Sequence, residues 1–349
     1  MFRDFFMIEL NVNPDISKAR SIDSEFYINS KYYNVSVDKI FKKSWQLTCH
    51  KSELVKTNLY PFTFLDNSVS EPLIISKVHS QITCLSNVCT HRGHILQENK
   101  CNRKKIRCDY HGRTFNLDGS FDRMPGFEGV DDFPAESDNL KKIPVLDWNG
   151  FIFTGINPQI RIDTILNDIN SRLKNFPFDN IYFSKDQSRT YTIDANWALY
   201  CENYLEGLHV PYVHKGLNSE IDIKSYKTEI IDNGVLQYTD SKNSNAYAYY
   251  YWIFPNMMLN FYDWGLSINI VEPIAFNKTR IKFLTFPIKN ALNVGEKINE
   301  LHEVELEDEK VVLNVQRGVK SKFYKNGRYS KDHEKGTHHF HRLICQYIK

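Results

Sequence analysis

Between Trp45 and about Pro158 the apolar runs are short and broken by turn residues: PLIISKV, QITCLSNV, KIRCDY, RTFNLDGSF, IPVLDW and GFIFTGI. Runs of about four to eight residues with this punctuation predict β-strands. Asp118-Gly119 is the dipeptide of a tight hairpin between RTFNL and SFDR. Residues 45–158 therefore read as a small all-β domain. Residues 1–44 read as a helical and extended lead-in, with candidate helix starts at Ser17 or Asp38. Beyond residue 159 the pattern changes. A polar helical segment, IDTILNDINSRLKNF, precedes strand-like runs (RTYTIDANW, YAYYYWIF, MMLNFYDW, LSINIVEP) interrupted by a helical insert at 197–209. Residues 279–288 read as another strand. Residues 294–319 and 332–348 have the spacing of amphipathic helices, the first ending at Gly318 and the second broken by Gly336. This second block is α+β, with a large antiparallel sheet and flanking helices.

Composition narrows the class. A chain of 349 residues allows two domains, and 42% hydrophobic with 14% aromatic residues supplies a core and an apolar pocket within it. A net charge of +2 excludes the electrostatic footprint of a nucleic-acid or anionic-membrane binder. The opening MFRDFFMIELNVNPD lacks a secretory apolar core, and no run approaches the ~18 apolar residues of a membrane span. Seven scattered cysteines, an odd number, are unlike a disulfide framework and imply a reduced, cytoplasmic protein.

The chemistry begins at Cys89-Thr-His91-Arg-Gly93 and Cys108-Asp-Tyr-His111-Gly112. Each loop offers one cysteine and one histidine, so each can give a thiolate to one metal and an imidazole to a second. That is the ligand set of a Rieske [2Fe–2S] cluster, with Cys89, His91, Cys108 and His111 as ligands. Zinc also accepts two cysteines and two histidines, but zinc modules pair like with like, as C-x2–4-C followed by H-x3–5-H. Gly93 and Gly112 follow each histidine, where tight backbone can donate N–H bonds to cluster sulfur. Respiratory-type Rieske proteins carry two further cysteines that form a disulfide beside the cluster. Here neither loop carries a second cysteine, so that bridge is impossible. Cys84 and Cys101 flank the first loop and are expected to be buried thiols.

An electron relay needs an acceptor. His209 and His214 fit two arms of a 2-His-1-carboxylate iron site, although on spacing alone two hydrogen-bonded core histidines are the commoner reading. Five residues apart on a regular helix they would diverge by roughly 140°. Pro211 between them would kink the helix and let His214 swing back.

Taken together, the motifs resemble the oxygenase component (α subunit) of Rieske non-haem iron oxygenases over nearly the full length. The supporting residues are the two Cys/His loops, Glu202-Asn203-Tyr204-Leu-Glu206-Gly-Leu-His209 with His214, and Glu307-Asp308 through Gln316-Arg-Gly318. The resemblance implies a Rieske domain at 45–158 and a helix-grip (START-like) catalytic domain at 159–349, on which the lead-in 1–44 packs. It implies that a third iron ligand comes from an acidic pair opening a late helix, here Asp308, with Glu307 and Glu309 as alternatives. It also implies that Glu206, with Asn203 beside it, bridges the iron to the cluster of a neighbouring subunit. Glu206 and His209, three apart, would share a helix face as such a bridge needs. Glu at position 206, together with the Glu307–Gly318 segment, points to the branch resembling choline, carnitine and glycine betaine monooxygenases. Arg113 stands where many members have Trp, with a consequence for docking of the electron donor or for packing alone.

The resemblance further implies O2 as co-substrate, hydroxylation of a small molecule, and C–N cleavage or N-demethylation when the attacked carbon bears nitrogen. No G-x-G-x-x-G motif is present, so NAD(P)H would act only through a separate flavin/iron–sulfur reductase or ferredoxin. Electron transfer between subunits in the family implies a homotrimer. The aromatic residues Tyr249, Tyr251, Trp252, Phe254, Phe261, Tyr262 and Trp264, with Met257 and Met258, are expected to line the pocket. Such a box suits a quaternary ammonium ion or a flat aromatic acid. A different class of answer is a non-enzymatic Rieske electron carrier; a zinc-binding structural protein would be colourless. The other histidines are expected outside the metal sites: His94 packed or solvent-facing, His302 off the face of Asp308, and His338, His339 and His341 on the surface.

Overall fold

In the computed structural model of the protein, the described residues are 10–214, 216, 225–239 and 248–349. The first nine residues of the lead-in and Tyr247, the start of the YAYYYWIF run, lie outside them. The chain divides into two units, Trp45–Pro158 and residues 1–44 with 159–349.

The unit Trp45–Pro158 is built from short antiparallel strands, as the brief apolar runs require. Strand β1 (Gln46–His50) pairs with β10 (Phe151–Thr154), which pairs with β9 (Val145–Trp148). A second sheet runs β2 (Leu59–Phe64), β3 (Glu71–Val78), β4 (Gln81–Ser86) and β8 (Lys142–Ile143). The third comprises β5 (Ile106–Arg107), β6 (Thr114–Phe115) and β7 (Phe121–Arg123). The expected hairpin lies between β6 and β7, where Gly119 N–H donates to the Asn116 carbonyl (3.0 Å) and Ser120 N–H to Asp118 Oδ1 (3.0 Å). Leu59, Ile74, Leu85, Ile106 and Phe115, all fully buried, form a core that also encloses the Cys89 and Cys108 side chains. Cys84 is buried as expected; Cys101 is only partly so, its thiol donating to Gln97 Oε1 (3.1 Å).

The other unit carries one seven-stranded antiparallel sheet. Its order is β11 (Ser184–Ile193), β17 (Lys278–Pro287), β16 (Gly265–Ala275), β15 (Met257–Tyr262), β14 (Ala248–Ile253), β13 (Gly234–Thr239) and β12 (Lys227–Ile231). With its long helices this is the α+β, helix-grip arrangement expected. In the lead-in the helices are α1 (Glu25–Ile28) and α2 (Ser30–Lys39). The candidate starts at Ser17 and Asp38 are therefore corrected. Ser17 is held in a turn by Asp15, whose carboxylate accepts its N–H (3.0 Å), and Asp38 lies in the last turn of α2, which Asn29 caps through Lys31 N–H (3.0 Å). Helix α3 (Asp163–Arg172) follows the lead-in's contact with Gln159, and leads to the sheet.

The insert between β11 and β12 is a second correction. It is not one helix over 197–209 but α4 (Trp197–Tyr204), a turn, and α5 (Val210–Val213). Asn196 caps α4 through Ala198 N–H (3.0 Å) and is itself fixed by Gln316, whose Oε1 accepts its backbone N–H (2.7 Å). The break comes before Pro211, which sits in the first turn of α5, where its missing N–H costs nothing. Helix α6 (Val294–Gly318) is 25 residues long, so Glu307 and Asp308 lie in its middle rather than at its opening. Helix α7 (Lys335–Ile348) starts one residue before Gly336 and packs with α6 against α4. His338 and His341 on α7 are buried, not superficial, and His339 is half-buried. One ring nitrogen of each has a partner that makes burial tolerable: Asn13 carbonyl for His338 (2.8 Å), Asp232 carbonyl for His339 (2.7 Å) and Tyr329 hydroxyl for His341 (2.6 Å).

Candidate active site

Each Cys/His loop is closed by the same pair of backbone hydrogen bonds. Cys89 N–H donates to His94 carbonyl (2.8 Å) and Gly93 N–H to Cys89 carbonyl (3.0 Å); Cys108 N–H donates to Arg113 carbonyl (2.8 Å) and Gly112 N–H to Cys108 carbonyl (3.0 Å). The closure needs left-handed backbone at Gly93 (φ 72°) and Gly112 (φ 76°), which glycine adopts without strain. The thiols point inward, 3% and 1% exposed, and Cys89 reaches Cys108. The imidazoles of His91 and His111 stand at the rim, ring centroids 4.8 Å apart. Two inner thiols and two outer imidazoles, with a buried His91 Nδ1 that has no protein partner among the described residues, fit a [2Fe–2S] group.

Arg113 is 2% exposed. Its guanidinium pairs with Asp138 Oδ1 (2.5 Å) over the rings of Phe121 (5.0 Å) and Phe133 (5.5 Å). An enclosed charge of this kind serves packing within the unit, the second of the two consequences expected of Arg113. The Asp138 carbonyl also accepts the Thr90 hydroxyl (2.9 Å), tying Arg113 to the first loop. His94 is exposed, as expected.

In the other unit, His209, His214 and Asp308 converge. His214 Nε2 lies 3.2 Å from His209 Nε2 and 3.0 Å from Asp308 Oδ1, and His209 Nε2 lies 3.6 Å from Asp308 Oδ1. Ligand atoms at right angles, about 2.1 Å from one ion, would be about 3.0 Å apart, so these three suit one face of a metal's coordination shell. The opposite ring nitrogens face carboxylates: His209 Nδ1 and Glu206 Oε1 (2.5 Å), His214 Nδ1 and Glu307 Oε2 (2.7 Å). Protonation at Nδ1 then leaves both Nε2 lone pairs for the ion. Burial opposes protonation of His214, but Asp308 and Glu307 outweigh it and raise its pKa.

Glu206 is not on a shared helix face with His209. It lies in the turn before α5, and its Oε2 accepts the N–H groups of Leu208 and His209, which fixes the turn and explains how a residue off the helix still meets the imidazole. Glu307, an alternative ligand in the sequence, instead orients His214, and Glu309 is outside the converging set. His302 stacks on Tyr191, whose hydroxyl is 3.0 Å from its Nδ1, away from the triad.

A cavity of about 140 Å3 adjoins the triad. Asn203 and Glu206 line it, with the tyrosines Tyr200, Tyr204, Tyr226, Tyr250 and Tyr262. Of the aromatic residues expected there, only Tyr262 takes part. Tyr251, Trp252, Phe254, Met257 and Met258 are wholly buried elsewhere in the core. Strand alternation turns Tyr251 and Met257 to the opposite face, whereas Trp252, on the same face as Tyr250, packs against Phe340 of α7 (ring centroids 5.1 Å); one register row, Gln237–Tyr250–Asn260–Ser267, crosses β13 to β16 and faces the cavity. The signal that marks this face is the polar residues inside buried strands. Helix α6 contributes Leu301, Val304, Glu305 and Asp308, one face at helical spacing. Burial pushes the Glu305 carboxyl up to about 8, with Asp308 and Glu309 adding to the effect and Arg189 opposing it. Glu305 was not foreseen; its position one turn before Asp308 is the signal that could have found it.

Comparison with known proteins agrees with this geometry. Residues 44–134 match the Rieske [2Fe-2S] domain, and residues 182–233 and 228–349 match the ring hydroxylating alpha subunit (catalytic domain). The chain is 28% identical to choline monooxygenase of Arabidopsis thaliana, over 98% of this chain and 86% of that protein. It is 27% identical to the carnitine monooxygenase oxygenase subunit of Escherichia coli K12, over 99% and 98%. A solved quaternary ammonium Rieske monooxygenase in complex with L-carnitine superposes with a TM-score of 0.81 at 25% identity, covering 97% of each chain. Naphthalene 1,2-dioxygenase shares the fold, with a TM-score of 0.72 at 15% identity over 94% of this chain and 92% of that one.

Proposed function

Because the chain belongs to the Rieske non-haem iron oxygenases, as an oxygenase (α) subunit, we propose that it hydroxylates a quaternary ammonium compound at a carbon beside nitrogen, with C–N cleavage or loss of an N-methyl group. The observation that carries this reading is the tyrosine-lined cavity against His209, His214 and Asp308. Tyrosine faces attract a quaternary ammonium ion and have no need of a hydrogen bond from it. The relatives named for choline and carnitine oxidation support the same substrate class. An aromatic acid would bring its carboxylate beside Glu206 and Asp308, which disfavours it.

When bound, the cluster supplies electrons singly and the ferrous ion activates O2 for attack on a C–H bond. Cys89, His91, Cys108 and His111 hold the first group, and His209, His214 and Asp308 the second. Glu206 and Glu307 hold the imidazole protons at Nδ1 and so keep both Nε2 atoms free for the ion. The tyrosines exclude water around the substrate, and Asn203 and Glu206 form the wall beside the iron site. A separate reductase is required, of flavin/iron–sulfur or ferredoxin type. In our reading the active form is a cytoplasmic homotrimer in which Glu206 bridges the iron to a neighbouring subunit's cluster. Free cysteines throughout the described residues fit a reducing compartment, and none of their helices is long and apolar enough to cross a membrane.

The test is product formation and O2 uptake by reconstituted protein, with an electron donor, given choline-like cations or aromatic acids in parallel. Coupled turnover of the ammonium compounds supports the proposal; coupled turnover of aromatic acids alone overturns it. Reduction of the cluster without O2 uptake from any substrate would instead favour an electron carrier.

A further inference from the structure

The cavity is lined by the carboxylates of Glu206, Glu305 and Asp308, and among its described lining residues there is neither lysine nor arginine. Two of these acids are already engaged. Glu206 faces His209 Nδ1 and two backbone N–H groups, and Asp308 faces His214 Nε2. Glu305 has no hydrogen bond among the described residues. Its nearest basic atom is His302 Nδ1 at 3.8 Å, and that nitrogen already faces the Tyr191 hydroxyl. The side chain is nevertheless 16% exposed, and its carboxylate shares the cavity with the tyrosine rings. Burial disfavours the charged form of this acid, and a cation entering the cavity would favour it again.

We propose that Glu305 is the counter-ion of the substrate's ammonium group, and that the substrate is a quaternary ammonium alcohol of net positive charge rather than a zwitterion bearing its own carboxylate. This rests on the oxygenase reading above and narrows its substrate class. Glu305 and Asp308 are one turn apart on α6, a Cβ separation of about 5–6 Å, so an ammonium ion held at Glu305 keeps its neighbouring carbons close to the iron site. The sheet lines the cavity with neutral hydrogen-bonding groups. Gln237, Asn260, Ser267 and Asn269 offer amides and a hydroxyl, suited to an alcohol. A substrate carboxylate would instead meet Asp308 and Glu206 with no basic residue among the described lining residues to pair it. Arg189 lies on the other side of Glu305, lining a small side cavity that shares Ser267, Leu301 and Glu305, and not lining the main one.

The probes are choline, glycine betaine and L-carnitine, titrated anaerobically into the iron-loaded protein by calorimetry. Choline is expected to bind at least about 10-fold more tightly than either zwitterion, and Glu305→Gln to weaken choline about 10- to 100-fold with unchanged iron content. Equal or tighter binding of the zwitterions overturns the proposal while leaving a quaternary ammonium oxygenase in place. Failure of all three probes to bind overturns the proposal and the substrate reading beneath it. The wild-type preference stands as a measurement even if Glu305→Gln does not fold.

Discussion

His214 meets a carboxylate at each ring nitrogen, Glu307 at Nδ1 and Asp308 at Nε2. Only the second nitrogen is free for iron once the first is protonated, so adjacent acids on one helix do different work. Removing Glu307 should leave the triad intact but release the ring. Glu307→Ala is expected to lower iron affinity about 10- to 100-fold, read by competition with a chelator, while Glu307→Gln, whose amide oxygen still accepts, loses less. His209→Ala should reduce iron from about three to about two per chain and abolish turnover with the Rieske visible spectrum unchanged. Retention of all the iron by that variant would remove His209 from the ligand set. The Cys/His loops were legible because their spacing is local and their chemistry narrow. The choice among Glu307, Asp308 and Glu309 was not, since helical spacing says which acids are near but not which nitrogen each faces. The buried histidines of α7 were misread for a related reason: their polarity indicated a surface, and the distant partners Asn13 and Tyr329 are what permit burial.

Elements carry these residues to their positions. Trp197 at the start of α4 is wholly buried among the rings of Phe41 (4.9 Å) and Phe340 (5.6 Å), and Asn196 is bound by Gln316 of α6. The insert is thereby fixed at one end, and its turn at 205–209 delivers Glu206 and His209. Gly336 of α7 touches this turn: a Cβ there would lie 2.4 Å from the Leu205 carbonyl oxygen. Gly336→Ala should cost about 1–3 kcal/mol and loosen iron binding, whereas Gly318→Ala, with nothing within 4 Å of its Cβ, should change stability by less than about 0.5 kcal/mol. Thermal unfolding and iron retention of the pair measure this. In the other unit, His50 ends β1 and caps the short turn Lys51–Leu54. Burial, with a contribution from Lys51, lowers its pKa from 6.5 to about 4. The unfolded chain therefore takes up this proton first as pH falls, so stability present above pH 6.5 is lost between 6.5 and about 4. His50→Gln should flatten the fall of the unfolding midpoint across that window. Strand existence was legible from short apolar runs, but not which face of β14 and β15 meets the cavity, because both faces are covered and alternation alone does not choose. The end of the helical insert was misplaced because Pro211 reads as a breaker, while in the first turn of α5 it is a compatible residue.

For the whole molecule, the issue is how a reduced cluster in one unit serves the iron site in the other. If Glu206 joins the iron of one subunit to the cluster of a neighbour, two inactive chains should complement each other. Co-expressed His209→Ala and Cys108→Ser chains are expected to regain turnover in mixed oligomers, and mixed oligomers as inactive as either parent would reject transfer between subunits. The α+β character and the antiparallel sheet could be read from the switch between strand-like and helical spacing at residue 159. The cavity's charge could not, since it depends on Glu305 and four polar strand residues brought together by register and by packing of α6.

The central claim is that electrons held by the Cys89, His91, Cys108 and His111 site are consumed at His209, His214 and Asp308 to oxidise a quaternary ammonium substrate. A single-turnover experiment tests it most directly: chemically reduced, iron-loaded protein is mixed with O2 and choline while the cluster's visible absorbance and the aldehyde product are followed together. The account predicts rapid cluster oxidation matched by product in the wild type, and a cluster that stays reduced on the same timescale without product in His209→Ala. Cluster oxidation at equal rates in both proteins, with no product in either, would contradict it.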